Sequence, residues 1–80
     1  MEVRNIKLIW DFRGQDAHKT ALHHEIHLNE FLVKNTLPDF EVGVEQITEM
    51  HSLAYLITDQ SNMIVLRDAL VPHRGQQIEV

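Results

Sequence analysis

Apolar and polar positions alternate through residues 3–10, with Ile6, Leu8 and Trp10 on one side and Asn5, Lys7 and Ile9 on the other. A period of two is the signature of a strand. The stretch from Asp11 to Asp16 breaks the alternation, and Asp16 is suited to cap a helix. Residues 17–34 hold no Gly or Pro, and Ala17, Ala21, Leu28, Phe31 and Leu32 form one stripe at helical spacing. Asn35 and Pro38 end that helix. Alternation returns over residues 40–47, where Phe40, Val42 and Val44 oppose Glu41, Gly43 and Glu45. Thr48 to His51 read as a turn. Residues 52–58 are apolar on both faces, the pattern of a central strand covered on both sides. Residues 63–71 read as a short helix capped by Ser61 or Asn62 and stopped by Pro72. The run Met63-Ile64-Val65-Leu66 also has strand character. Residues 76–80 form a short last strand.

The predicted order is β-α-β-β-α-β over a single domain, residues 1–80. At the level of element order the whole chain resembles the ferredoxin-like fold, a split βαβ unit repeated. That resemblance implies an α+β two-layer sandwich, with an antiparallel sheet and helices on one face. It implies no particular function, because the fold hosts enzymes, metal carriers, RNA binders and regulatory domains. The aromatic-rich strands of the RNA binders and the paired cysteines of the metal carriers are missing from this chain.

An 80-residue chain buries a modest core and usually needs a disulfide, a metal or self-association to support it. Cysteine is absent, which removes disulfides, thiolate metal sites and Cys nucleophiles together. Self-association and a His-based metal site remain. The hydrophobic fraction of 44% suits a globular fold. No apolar run approaches a membrane span, and the first five residues lack a signal-peptide pattern. A cytoplasmic protein without a membrane partner is expected. The formal charge is −5, and the seven Lys and Arg are scattered, so nucleic-acid binding is not expected. Protonating all six histidines would carry the charge to +1, so behaviour near pH 6 should depend strongly on pH.

The resembled fold brings the end of the first strand, the β2–β3 hairpin and the loop before the last strand to one end of the sheet. Asp11, Arg13, Gly14 and Asp16 would meet Glu49, His51, His73, Arg74 and Gly75 there. Arg13-Gly14 and Arg74-Gly75 would face one another beside the N-terminus of the long helix. A guanidinium next to a glycine and a helix N-terminus suits a carboxylate or phosphate. A ligand site of Arg13, Gly14, Asp16 and Arg74 for a small anion follows. The plainer alternative has Arg13 and Arg74 paired with Asp11, Asp16 and Glu49, and the glycines serving turns.

Four of the histidines lie on the long helix. His23 and His27, four apart, can meet one metal ion, with Glu30 three residues beyond as an oxygen donor. Such a set suits Zn²⁺ or Fe²⁺. The alternative is a solvated face shared with Lys19 and Lys34. The zincin spacing is absent, since Leu28 stands where a second His would follow His24-Glu25. His24 falls beside the core stripe, where a buried histidine normally finds a hydrogen-bond partner.

Two features predict self-association. Leu22, Ile26 and Val33 form a second stripe on the helix, about 140° from the first. Ile9, Ile47, Leu53, Tyr55 and Ile57 also put apolar groups on the sheet face away from the helices, which a lone copy would expose. Sheets paired face to face resemble the dimeric α+β barrel group. That group includes small cofactor-free enzymes with an acid–base residue in a cavity. His24, His51 or His73, with Tyr55 or Asp11, are the corresponding candidates here. Three readings follow. The leading one is a homodimeric binding domain for a small anion, without a cofactor. The others are a cofactor-free acid–base enzyme and a histidine-based binder of a divalent metal.

Overall fold

β1 (Arg4–Arg13) takes the middle of a sheet because its two faces do different work. Its even-numbered residues Ile6, Leu8, Trp10 and Phe12 all join the apolar core. Its odd-numbered residues face the other way. The computed structural model describes residues 4–79. Val3 and Val80, expected in the first and last strands, lie outside the described residues. α1 (Ala17–Lys34), β2 (Glu41–Thr48), β3 (His51–Asp59), α2 (Gln60–Leu70) and β4 (Arg74–Glu79) follow in order. The four strands form one sheet in the order β2-β3-β1-β4, and every neighbouring pair is antiparallel. The architecture is α+β.

The segment 63–71 is helical through Leu70, one residue short of the expected end, and its helix begins three residues earlier than the pattern suggested. The cap is neither Ser61 nor Asn62 but Asp59, whose Oδ1 accepts the Asn62 backbone N–H at 2.9 Å. α1 has the expected bounds. Asp16 stands at its N-cap position, but the Asp16 side chain makes no capping hydrogen bond. β1 runs on through Asp11 and Phe12 to Arg13, so the polarity break after Trp10 did not mark its end.

Leu28 and Leu32 of α1 and Leu66 of α2 pack into the same buried cluster as Leu8, Trp10, Ala54 and Leu56. Both helices therefore sit on one face of the sheet. Their backbones stay apart, since no Cα of α1 comes within 8 Å of one in α2 among the described residues, and they meet the sheet through one shared cluster. α2 is held by little. Leu66 is its one fully buried residue, Met63 and Leu70 are partly buried, and Trp10 Nε1 donates to the Leu70 carbonyl at 3.0 Å.

α2 ends at Val71, whose N–H bonds to the Arg67 carbonyl at 2.9 Å and whose backbone is left-handed at φ 47°. A β-branched side chain resists that conformation, and Pro72 behind it restricts it further. Glycine is the residue such a position normally favours. Val71 is exposed, so little packing would be lost. Val71→Gly is expected to stabilise the fold by about 1 kcal/mol, net of the added chain entropy. Thermal unfolding followed by circular dichroism should show a midpoint about 4–8 °C higher. A lower midpoint would mean that Val71 contributes packing that its exposure does not suggest.

Candidate functional site

Strand register assembles the site. Arg13 lies opposite His51 on β3, Asp11 lies opposite Leu53, and β4 begins with Arg74 opposite Ile9. A carboxylate on the middle strand thus stands between an imidazole on one neighbour and a guanidinium on the other. His51 Nε2 is 2.9 Å from Asp11 Oδ1. Arg74 donates from Nε to Asp11 Oδ2 at 2.8 Å and from Nη2 to Oδ1 at 3.2 Å. The side chains of Asp11 and His51 are 18% and 15% exposed, whereas that of Arg74 is 52% exposed. Arg74's hydrogen bond holds the Asp11 carboxyl far below the usual carboxylate range; burial opposes this shift and His51 adds to it. The same hydrogen bond raises the Arg74 guanidinium above its ordinary value.

His73 closes the edge of this cluster. Its backbone N–H donates to Ile9 O, and its Nδ1 accepts the Asp11 backbone N–H, both at 2.9 Å. The second bond makes Nδ1 an acceptor, so a neutral His73 carries its proton on Nε2. Gly14 lies at the same end. Its N–H donates to Met50 O at 2.8 Å, and its φ of 110° is one that side chains rarely adopt. Gly75, by contrast, is a strand residue opposite Leu8 and serves no turn. Arg13 is exposed, and no ion pair involves it among the described residues. Asp16 lies beyond Gly14, in an open groove with Lys19, Thr20, Leu22, His23 and Ile26.

The remaining acid–base candidates do not join Asp11 and His51. Tyr55 lies farther along the outward face, opposite Ile9 and Gly43. Its hydroxyl donates to Glu41 Oε2 at 3.3 Å. A Cβ at Gly43 would fall 2.5 Å from that hydroxyl, so the glycine leaves the ring its place. Burial first, then Glu41, push the Tyr55 hydroxyl above the ordinary phenol range and keep it protonated. Lys7 Nζ sits 4.4 Å from the centre of the same ring and reaches across β3 to Glu45 at 2.9 Å. This outward layer of Lys7, Glu41 and Glu45 was not anticipated from the sequence. The detectable signal was a charge at alternate positions of β1 and β2.

His24 is on the opposite side of the sheet, among the core aromatics. Its ring centre is 4.9 Å from Trp10 and 5.5 Å from Phe12. The expectation that it would find a polar partner fails, because Nε2 is buried without one. The ring lies where α1 meets the apolar row of β1, and that row offers carbon. Burial, then His27 and His73, lower the affinity of His24 for a proton.

His23 and His27 stand on the outer side of α1 with their Nε2 atoms 3.0 Å apart. Glu30 Oε1 lies 3.4 Å from His27 Nδ1, the nitrogen on the far side of the ring from that contact. Glu30 therefore does not converge with the two imidazoles on one point. No group of three or more His, Asp or Glu is placed to hold a metal ion among the described residues. No helix among them is long and apolar enough to cross a membrane. No family model, curated protein or solved structure matches the chain.

Two pH windows separate the shifted groups. His24 has a lowered folded-state proton affinity, so as pH falls through about 6.5 the unfolded chain takes a proton that the folded one refuses. Stability should therefore fall from pH 7 towards pH 5. His24→Phe should flatten that slope and raise stability at pH 7 by about 1 kcal/mol, by removing a buried unpartnered nitrogen. Urea unfolding at pH 5 and pH 7 measures both; an unchanged slope would clear His24 of the effect.

Asp11 acts in the same direction at lower pH. Its folded-state affinity for a proton is depressed, so its contribution is complete above about pH 4 and is lost as pH falls further. Asp11→Asn should cost about 1–2 kcal/mol at pH 7, a value discounted for the exposure of Arg74. The gap from wild type should narrow below pH 4 in acid-unfolding curves. A gap that is constant with pH would assign the loss to packing.

Proposed function

We propose that this chain is a single self-associating binding domain of ferredoxin-like type, a cytoplasmic homodimer, and that α1 rather than the sheet forms the contact between copies. The carrying observation is the outward stripe of α1: Leu22, Ile26 and Val33 are 42%, 56% and 81% exposed, with no neighbouring helix to cover them. Contiguous exposed apolar residues of this kind mark interaction surfaces. An antiparallel two-fold pairing of α1 with α1 would be self-complementary. The sheet face gives less support to a barrel-like dimer. Ile9 and Leu53 on that face are already 2% and 4% exposed, beneath a layer that includes Lys7, Tyr55, Glu45 and Arg74.

The ligand of this reading is a small anion at the end of β1. Arg13 is open to solvent there, and the hydrogen bonds of Arg74 to Asp11 use Nε and Nη2, leaving Nη1 for a ligand. Gly14 and Asp16 belong to the same loop. Asp11 partly cancels Arg74, so the ligand would be held chiefly through Arg13. The alternative of an acid–base enzyme draws on one observation, the carboxylate–imidazole pair of Asp11 and His51 at 2.9 Å. The other imidazole nitrogen would be the reacting atom.

Sedimentation equilibrium on untagged protein tests the assembly. Wild type is expected to be dimeric at micromolar concentration, and Ile26→Glu monomeric with an unchanged circular dichroism spectrum. A wild-type monomer at every concentration would sink the reading. A dimer that survives Ile26→Glu would move the contact elsewhere. Phosphate titrated into wild type and Arg13→Ala tests the anion site in the same samples; equal response would remove Arg13 from it.

A further inference from the structure

We propose that His23 and His27 form a two-imidazole site for a divalent transition-metal ion of the zinc and copper class, with Glu30 as a nearby charge rather than a ligand. The site goes beyond the self-association reading and does not require it.

The argument starts from the ring geometry. Residues four apart on α1 place the two Nε2 atoms 3.0 Å apart, with ring centres 4.6 Å apart and planes inclined at 79°. Two ligand nitrogens at 2.0–2.1 Å from one metal are separated by about 3.3 Å in a tetrahedral set and about 2.9 Å at adjacent square-planar positions. The observed spacing lies between these values. The separation therefore suits an ion, and the rings must turn about their side-chain bonds for both lone pairs to converge on it. Imidazole nitrogen suits zinc, copper and nickel, and is a poor ligand for magnesium or calcium.

Glu30 Oε1 lies 3.4 Å from His27 Nδ1, close enough to place negative charge beside the pair but without a hydrogen bond to the ring. In the tautomer with the His27 proton on Nδ1, the Nε2 lone pair faces His23. Without metal, His23 can satisfy the same lone pair by donating its own Nε2–H, which accounts for the short contact. To ligate through Nε2, His23 carries its proton on Nδ1 instead, and since acid competes with the metal for the same lone pairs, uptake weakens as pH falls. Both rings are on the exposed side of the helix, so entry needs no opening. Two protein ligands leave the remaining positions open.

The test is isothermal titration of untagged, full-length protein with Zn²⁺, alongside thermal unfolding with and without the ion. Saturable uptake and a raised midpoint are expected in wild type. His23→Gln or His27→Gln should weaken uptake at least tenfold and abolish the midpoint rise. His18→Gln, also exposed on α1, should change neither. One ion per chain would leave the open positions to water. One ion per two chains would put the same pair from a second copy there; both stoichiometries support the assignment. Absence of saturable uptake, or uptake that survives both histidine substitutions, would overturn it. Repeating the titration on Ile26→Glu keeps the two ideas apart: zinc binding by a monomer supports the site whatever becomes of the dimer.

Discussion

Leu8 lies opposite Leu56 on one neighbouring strand and Gly75 on the other, and it is 2% exposed. Around that contact the inward row of β1 supplies the floor on which both helices rest. The backbones of the two helices stay more than 8 Å apart at every Cα pair among the described residues, so the sheet is the main support of each. α1 brings Ala17, Ala21, Leu28 and Leu32 to it, whereas α2 brings Leu66 with partial help from Met63 and Leu70. Full burial of one leucine is worth about 1.5–3 kcal/mol. α2 is therefore the more weakly held layer. Its tether through the Trp10 indole matters more than a single hydrogen bond would in a thicker core.

The outward face solves a different problem. A four-stranded antiparallel sheet with helices on one side leaves the other to water. Ile9 and Leu53 would be wet there, but long charged side chains lie over the face. Lys7 crosses from β1 to Glu45 on β2, passing over the Tyr55 ring, and Arg74 reaches from β4 to Asp11. Apolar stems with polar heads can cover carbon without being buried themselves. Once this face is covered from within, the apolar surplus of the chain lies mainly on the helices, with Leu22, Ile26 and Val33 on α1 and Ile64 and Val65 on α2.

Periodicity made the elements legible, because each burial requirement leaves its own spacing. The stripe of Ala17, Ala21, Leu28, Phe31 and Leu32 marked α1; four of the five are buried and Phe31 is partly buried. The Met63-Ile64-Val65-Leu66 run was ambiguous because only Leu66 among them is fully buried, and one residue carries no period. Caps were harder. Ser61 and Asn62 stand just before the apolar run, whereas the helix starts at Gln60 and its cap is the side chain one residue earlier, Asp59. At the candidate site, element order was enough to predict that Asp11, His51, His73 and Arg74 share one end of the sheet. It could not assign partners. The choice of Asp11 by Arg74, and of the outer His27 nitrogen by Glu30, depends on register and rotamer, which leave no mark in residue spacing.

Six histidines suggested a general sensitivity to acid, and the fold makes the effect local. Neighbouring positions of β1 carry opposite solutions to ionisation. Asp11 points outward into a guanidinium and an imidazole and stays charged. Trp10 and Phe12, on either side of it, point inward and enclose an imidazole that resists charge. Strand alternation makes this possible, since adjacent residues see opposite faces. Both shifts cost stability as pH falls, but over separate pH ranges. Near neutral pH Asp11 keeps its full effect and His24 is uncharged. Mild acid charges the unfolded chain at His24 first, while the Asp11 cluster is still intact. The core side of β1 should therefore be destabilised before the outward side. Since α1 carries His24, the first layer to loosen under acid should be the same helix that holds the exposed stripe and the His23–His27 pair.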